Sequence, residues 1–282
     1  MRLLRHYIFL ALLLGSISRV AHAASILEAL ELSKITSSSV TIPSAKYTPK
    51  ANMCLHNEAR FTHDWTADEV VRVQDLHISL ASTARLVHTV WLAWAALHLP
   101  GGDYVEAGVW KGGSSVLMLK VLLSFDTCKR TFWAFDTFNG LPKLVKLDKV
   151  GSLAKGKAGK FKASKDEYVS NLQDYGAYDA DVVRVTEGML RYTLPEAKVA
   201  HISFLRLDGK LYEATWDTLV NLYDRVIPGG YVYVNDYNAY NGCHRAVDDF
   251  RNSRNITSLM HSVHDTDWRG NAVQEAVWWI KE

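Results

Sequence analysis

The chain has 282 residues and is 48% hydrophobic, 11% aromatic and 22% charged, a composition that excludes disordered, collagen-like and coiled-coil classes and predicts one large globular domain. Thirty-two Lys and Arg against thirty Asp and Glu leave a formal charge of +2, too near balance for nucleic-acid binding driven by phosphate neutralisation. Cys54, Cys128 and Cys243 are widely spaced with no CxxC pair, which excludes a zinc module or a disulfide-stapled miniprotein and permits at most one disulfide.

Residues 1–23 read as a secretory signal peptide: Arg2 and Arg5 form a basic start, Tyr7 to Gly15 an apolar run, and Ala21-His22-Ala23 a small-x-small cleavage site. The run is about half the roughly 20 residues that a membrane span needs, so no stable span is expected after cleavage. A signal anchor is one alternative. An organelle transit peptide is the other, because Arg2, Arg5 and Arg19 precede the first acidic residue, Glu28. A secretory or extracellular location permits a disulfide and suits the sequon Asn255-Ile256-Thr257. Residues 24–63, rich in Ser, Thr and Pro, form a variable leader or lid, and residues 64–282 the main domain. Residues 64–98 carry one long apolar helical pattern stopped by Pro100-Gly101-Gly102.

Strands and helices then alternate. Asp103 to Val109 is an apolar strand running into the turn Trp110-Lys111-Gly112-Gly113-Ser114-Ser115, followed by a helix over Val116 to Phe125. Further strands are predicted at Thr131 to Phe138, Val182 to Val185, Ile202 to Leu207 and Tyr231 to Val234. The alternation predicts an α/β, Rossmann-like doubly wound, mostly parallel sheet, with Ala272 to Ile280 as an antiparallel C-terminal edge strand. One segment breaks the rhythm: Lys143 to Lys165 holds eight lysines and a single aspartate. It reads as a surface insertion, or as a loop that closes over a substrate.

In such a sheet ligands lie across the carboxyl ends of the strands. Those ends carry Glu106 and Gly108, Asp136, Glu187-Gly188, Asp208-Gly209 and Asn235-Asp236. The first turn is E-x-G-x-x-x-G rather than GxGxxG, and its acidic residue would repel phosphate, so a nicotinamide dinucleotide is a poor fit. S-adenosylmethionine carries no phosphate, and Asp136 is spaced to accept its ribose hydroxyls. Asp208, between Leu207 and Gly209, is an awkward place for a charge unless a cation or cofactor meets it.

Several stretches resemble the macrocin O-methyltransferase family: Tyr104 to Gly113, Phe135-Asp136-Thr137-Phe138-Asn139-Gly140-Leu141-Pro142, Thr193-Leu194-Pro195, Leu207 to Thr215, Pro228 to Tyr237, and Gly242 to Arg251. They occur in matching order from about residue 80 to the carboxyl terminus. The resemblance implies a class I methyltransferase that uses S-adenosylmethionine and Mg2+ to methylate a hydroxyl, typically on a sugar of a natural product. It implies Glu106, Gly108, Ser114, Ser115, Asp136, Gly188 and Asp208 as cofactor-binding residues, and Asp208, Asn235 and Asp236 as the metal site. Two positions depart from the pattern. The family usually shows two adjacent aspartates after the fifth strand and an acidic residue two after Asp208, where this chain has Asn235 and Lys210. An Asn carbonyl can still coordinate Mg2+, but the site loses negative charge. Lys210 either points away along the following helix or partly replaces the cation.

Transfer of a methyl group from a sulfonium to oxygen requires an activated hydroxyl, which a metal or a base supplies. Asp208 is the expected ligand and general base combined. His201 and His244 read as structural. The expected partner is a small-molecule hydroxyl acceptor, with no nucleic acid, and a homo-oligomer is compatible with the pattern. The competing class is a secreted binding protein that keeps the fold while Asn235 and Lys210 have removed turnover.

Overall fold

The structure, a computed structural model, describes Leu55 and residues 57–149, 157–266 and 272–282. The predicted signal peptide at 1–23 and most of the 24–63 leader lie outside these residues. Among the described residues no helix is long and apolar enough to cross a membrane.

The 64–98 pattern folds as two helices, not one: α1 (His63–Asp75) and α2 (Thr83–Leu97). Hydrophobic spacing continues across the break, but capping interrupts it. Thr62 accepts the backbone N–H of Trp65, Ser82 accepts that of Arg85, and His77 takes a left-handed φ of +56° between them. The connecting residues 76–82 therefore leave the helix axis and cross toward the sheet.

Then follow β1 (Asp103–Ala107), α3 (Gly113–Phe125), β2 (Phe132–Asp136), α4 (Lys165–Asp174), β3 (Val183–Glu187), the single-turn α5 (Leu190–Thr193), β4 (Ile202–Leu207), α6 (Tyr212–Leu222), β5 (Val226–Val234), α7 (Asn241–Ser253), β6 (His261–Thr266) and β7 (Ala272–Ile280). They build one seven-stranded sheet in the order β3-β2-β1-β4-β5-β7-β6. The first five are parallel, and β7 is antiparallel to both β5 and β6. The doubly wound, mostly parallel sheet is as expected. The antiparallel edge is a pair rather than a single strand, because His261–Thr266 adds outside β7. Its sequence, HSVHDT, lacks the apolar density that marks the inner strands.

Side-chain alternation sends each strand into two cores. Tyr104, Phe132, Phe204 and Tyr233 pack with α2 and α3 on one face, whereas Val105, Phe135, Leu205 and Val234 pack with α6 and α7 on the other. The same alternation puts Glu106 and Arg206 on the first face, directly paired in register between β1 and β4, with Tyr233 of β5 next in line. Cys128 is disulfide-bonded, Cys243 is a buried free thiol, and Cys54 lies outside the described residues.

Candidate functional site

Strand order reverses between β1 and β4, and a cavity of about 430 Å3 opens there at the carboxyl ends. Gly108, Asp136, Asp208, Asn235 and Asp236 line it, together with Leu80 and Phe161.

The first turn exists because the backbone passes very close to β4. Gly108 has φ +89°, and a Cβ there would meet the Asp208 carbonyl oxygen at 2.7 Å. Trp110, Phe138 and Lys210 have φ of +48°, +50° and +63°. These are non-glycine residues in left-handed conformations just beyond β1, β2 and β4, each costing about 1–3 kcal/mol and concentrated at the cavity. Asp136 holds two of these turns. One carboxylate oxygen accepts the amides of Val109 (2.7 Å) and Trp110 (3.1 Å), and the other accepts that of Phe138 (2.8 Å). The oxygen facing Phe138 also lies 3.5 Å from Thr137 Oγ1, but that hydroxyl donates at 3.0 Å to the Gly140 carbonyl, which leaves the oxygen capacity for another donor.

Beneath and beside the cavity runs a ladder of alternating charges. The Glu106 carboxylate is fully buried and accepts Ser114 Oγ (2.6 Å), Ser115 Oγ and Arg206 Nη1 (2.7 Å). Arg206, also fully buried, reaches Asp208 Oδ2 at 3.1 Å and donates to Asn235 Oδ1 at 2.8 Å. Its guanidinium lies 5.5 Å from the Tyr233 ring centroid. Lys210 Nζ then bridges Asp208 Oδ1 and Asp236 Oδ2, the latter at 2.7 Å. Arg85 of α2 closes the row on Asp236 Oδ1 (2.9 Å) and Glu275 Oε2 (3.1 Å). Burial opposes the charge on Glu106, Arg206, Asp208, Lys210, Asp236 and Arg85. Even so, Lys210 and Arg85 hold the Asp236 carboxyl well below the usual carboxylate range, and the two aspartates hold Lys210 charged above the usual lysine range. Burial raises Asp208, with Lys210 pulling it down and Asp236 pushing it up.

Of the predicted cofactor-binding residues, Gly108, Ser114, Asp136 and Asp208 line the cavity. Glu106 and Ser115 do not, being turned inward onto each other and Arg206; Gly188 extends the sheet by donating to the Asp136 carbonyl at 2.9 Å. The predicted metal residues Asp208, Asn235 and Asp236 do come together on the cavity wall. Their chemistry does not fit Mg2+. Both oxygens of each aspartate and the Asn235 oxygen already face a lysine or arginine. Among the described residues no three His, Cys, Asp or Glu side chains are grouped to hold a metal. His201 is exposed and off the cavity, and His244 stacks on Tyr237 at 4.2 Å and pairs with Asp248 at 3.1 Å.

Sequence reasoning missed Arg85, Arg206 and the 78–81 wall. Arg206 left a signal: an arginine two residues before Asp208, and hence on the same face, inside a buried strand whose only other polar residue is Ser203. Residues 78–81 left none, since the helix break that delivers them is a capping event; Gly113 N–H bonds to the Ile78 carbonyl at 3.1 Å, and a Cβ on Gly113 would meet Ser79 Cβ at 2.6 Å. The lysine-rich insertion is partly anchored. Asp148 accepts the amides of Tyr212 (2.7 Å) and Val145 (2.9 Å), while Lys143, Lys160 and Phe161 reach the cavity. Residues 150–156 lie outside the described residues.

Residues 83–279 match the macrocin O-methyltransferase family. Demethyldecarbamoylnovobiocin O-methyltransferase of Streptomyces niveus is 41% identical over 165 residues, 57% of this chain and 63% of its own length. An 8-demethyl-8-(2,3-dimethoxy-alpha-L-rhamnosyl)-tetracenomycin-C 4'-O-methyltransferase of Streptomyces olivaceus is 37% identical over 177 residues, 61% of this chain and 67% of its own. The chain thus spans about two thirds of the length of the curated relatives it matches. Among solved structures, the O-methyltransferase NovP superposes with a TM-score of 0.61 at 32% identity, covering 71% of this chain and 80% of that one. The calicheamicin methyltransferase CalS11 shares the fold at a TM-score of 0.55 and 18% identity, covering 76% and 84%.

Proposed function

The chain belongs to the macrocin O-methyltransferase family, and on that premise we propose that it is an S-adenosylmethionine-dependent O-methyltransferase whose acceptor is a hydroxyl of a sugar-containing or other small molecule. The observation that carries this reading is the single cavity that gathers the Gly108 turn, Asp136 and Asp208 at the sheet's switch point. The residues fit the cofactor. Gly108, without a side chain, and Ser114 line the same wall as Asp136, whose carboxylate is the acceptor available to a ribose hydroxyl.

When bound, S-adenosylmethionine supplies an electrophilic methyl group. The protein's own part is to seat it against the Gly108 turn and to take the acceptor's proton at Asp208, the carboxylate that lines the cavity between two fixed cations. No metal enters this scheme, because each oxygen that would hold one already faces a fixed cation, which repels a divalent ion but not a neutral hydroxyl.

Calorimetric titration with S-adenosylmethionine tests the reading. One site per chain is expected, and Asp136→Ala should weaken binding by at least about tenfold, since it removes both an acceptor and the anchor of two turns. Absence of binding to the intact chain would overturn the assignment. A fold that has lost turnover predicts binding without transfer to any acceptor hydroxyl.

We place the protein in the secretory pathway or outside the cell. The disulfide at Cys128 and the exposed Asn255, in a turn after α7, support this location. Expression in a eukaryotic secretory host should yield a species whose mass falls on peptide-N-glycosidase treatment, and Asn255→Gln should abolish that shift. A luminal enzyme then requires imported cofactor.

A further inference from the structure

We infer that the Lys210 ammonium is the resident cation of this site: it occupies the place between Asp208 and Asp236 that a divalent ion would need, and it holds the acceptor oxygen in the ion's stead. This rests on the transferase reading for its catalytic half and on geometry alone for its exclusion half.

Three observations carry it. Lys210 Nζ contacts one oxygen of each aspartate, while Arg206 and Arg85 take the other two. An incoming divalent ion would meet three fixed positive charges and would have to displace one of them from a pocket where burial strengthens every charge interaction. The aromatic surroundings match a monovalent ammonium, with the Phe161 ring centroid 5.0 Å and the Tyr240 centroid 6.0 Å from Nζ. The charge balance is built for it as well. Glu106, Asp208, Asp236 and Glu275 face Arg85, Arg206 and Lys210, four carboxylates against three cations. With acids at 210 and 235 the count would be six against two, an excess that calls for a divalent ion.

The two departures are therefore one change. Lys210 supplies the charge, and Asn235, donating no negative charge of its own, still accepts from Arg206. The left-handed backbone at Lys210 lets its side chain meet a carboxylate two residues earlier in the chain. Two of the three ammonium donors are used on aspartates, which leaves one for an acceptor oxygen in the cavity that Lys210 lines.

Electron paramagnetic resonance with MnCl2 as the probe tests the exclusion on the intact chain. The wild-type protein should leave the free Mn2+ signal unchanged at millimolar metal. A Lys210→Asp/Asn235→Asp double variant should take up one Mn2+ per chain and gain thermal stability from it. Wild-type uptake of one Mn2+ that Asp236→Asn removes would overturn the inference, and so would a folded double variant that takes up none. Should the double variant not fold, the wild-type titration with Asp236→Asn decides alone. For the catalytic half, EDTA should leave methyl transfer within about twofold, and Lys210→Met should lower kcat by about 100-fold with S-adenosylmethionine affinity within about threefold, with partial recovery in Lys210→Arg. A tenfold loss in EDTA, or an unchanged kcat in Lys210→Met, would overturn it. If no hydroxyl is methylated under any condition while Mn2+ is excluded, the transferase reading fails and the resident cation stands.

Discussion

Arg206→Met is expected to destabilise the fold by about 3–5 kcal/mol, because breaking a buried ion pair from one side strands the other charge. Glu106 is fully buried, and without the guanidinium only two serine hydroxyls meet its carboxylate. Asn235 and Asp208 lose a partner in the same step. For a domain of this size the melting temperature should fall by on the order of 10 °C, as read by circular dichroism. Pairing Arg206→Met with Glu106→Gln should recover part of the loss, since the stranded charge is then gone. If the double variant is no more stable than the single one, the ladder contributes through packing and not through charge compensation.

Asp208→Asn should reduce methyl transfer by about 100- to 10,000-fold, the range for removing a positioned general base, with S-adenosylmethionine binding retained. The amide keeps the shape of the side chain and one acceptor oxygen for Lys210 or Arg206 but cannot take a proton. The measurement is kcat against cofactor Kd in the same preparation. Loss of both together would make Asp208 a member of the cofactor pocket alone, and an unchanged kcat would remove it from the chemistry. The ladder also gives this variant a structural control. When Asp208 is neutralised Lys210 keeps Asp236 and Arg206 keeps Glu106, so the amide should cost less stability than Arg206→Met, which leaves a fully buried carboxylate without its cation.

Much of the site could be read along the chain because it is built from strand ends. A strand's last residues are fixed by the strand's own length, so Gly108, Asp136, Asp208, Asn235 and Asp236 arrive at one rim once the sheet is parallel. The glycine turn after β1 was legible for the same reason, but its left-handed backbone and its approach to Asp208 were not. Glu106 shows the limit. Its place at the end of β1 was clear from sequence, but its carboxylate is taken up by Arg206 and the α3 serines and does not line the cavity.

The amino-acid sequence alone determined the doubly wound sheet, the glycine turn, the acidic rim and the family, because each depends on local periodicity or on contiguous motifs. Only the tertiary structure decided what those acids do with their charge. Asp236 meets Arg85 from 151 residues away and Lys210 from 26, and Arg206 meets Glu106 across 100. Partners so distant leave no spacing to read, and in a buried setting the partner, not the carboxylate, determines whether an oxygen is free to bind an ion.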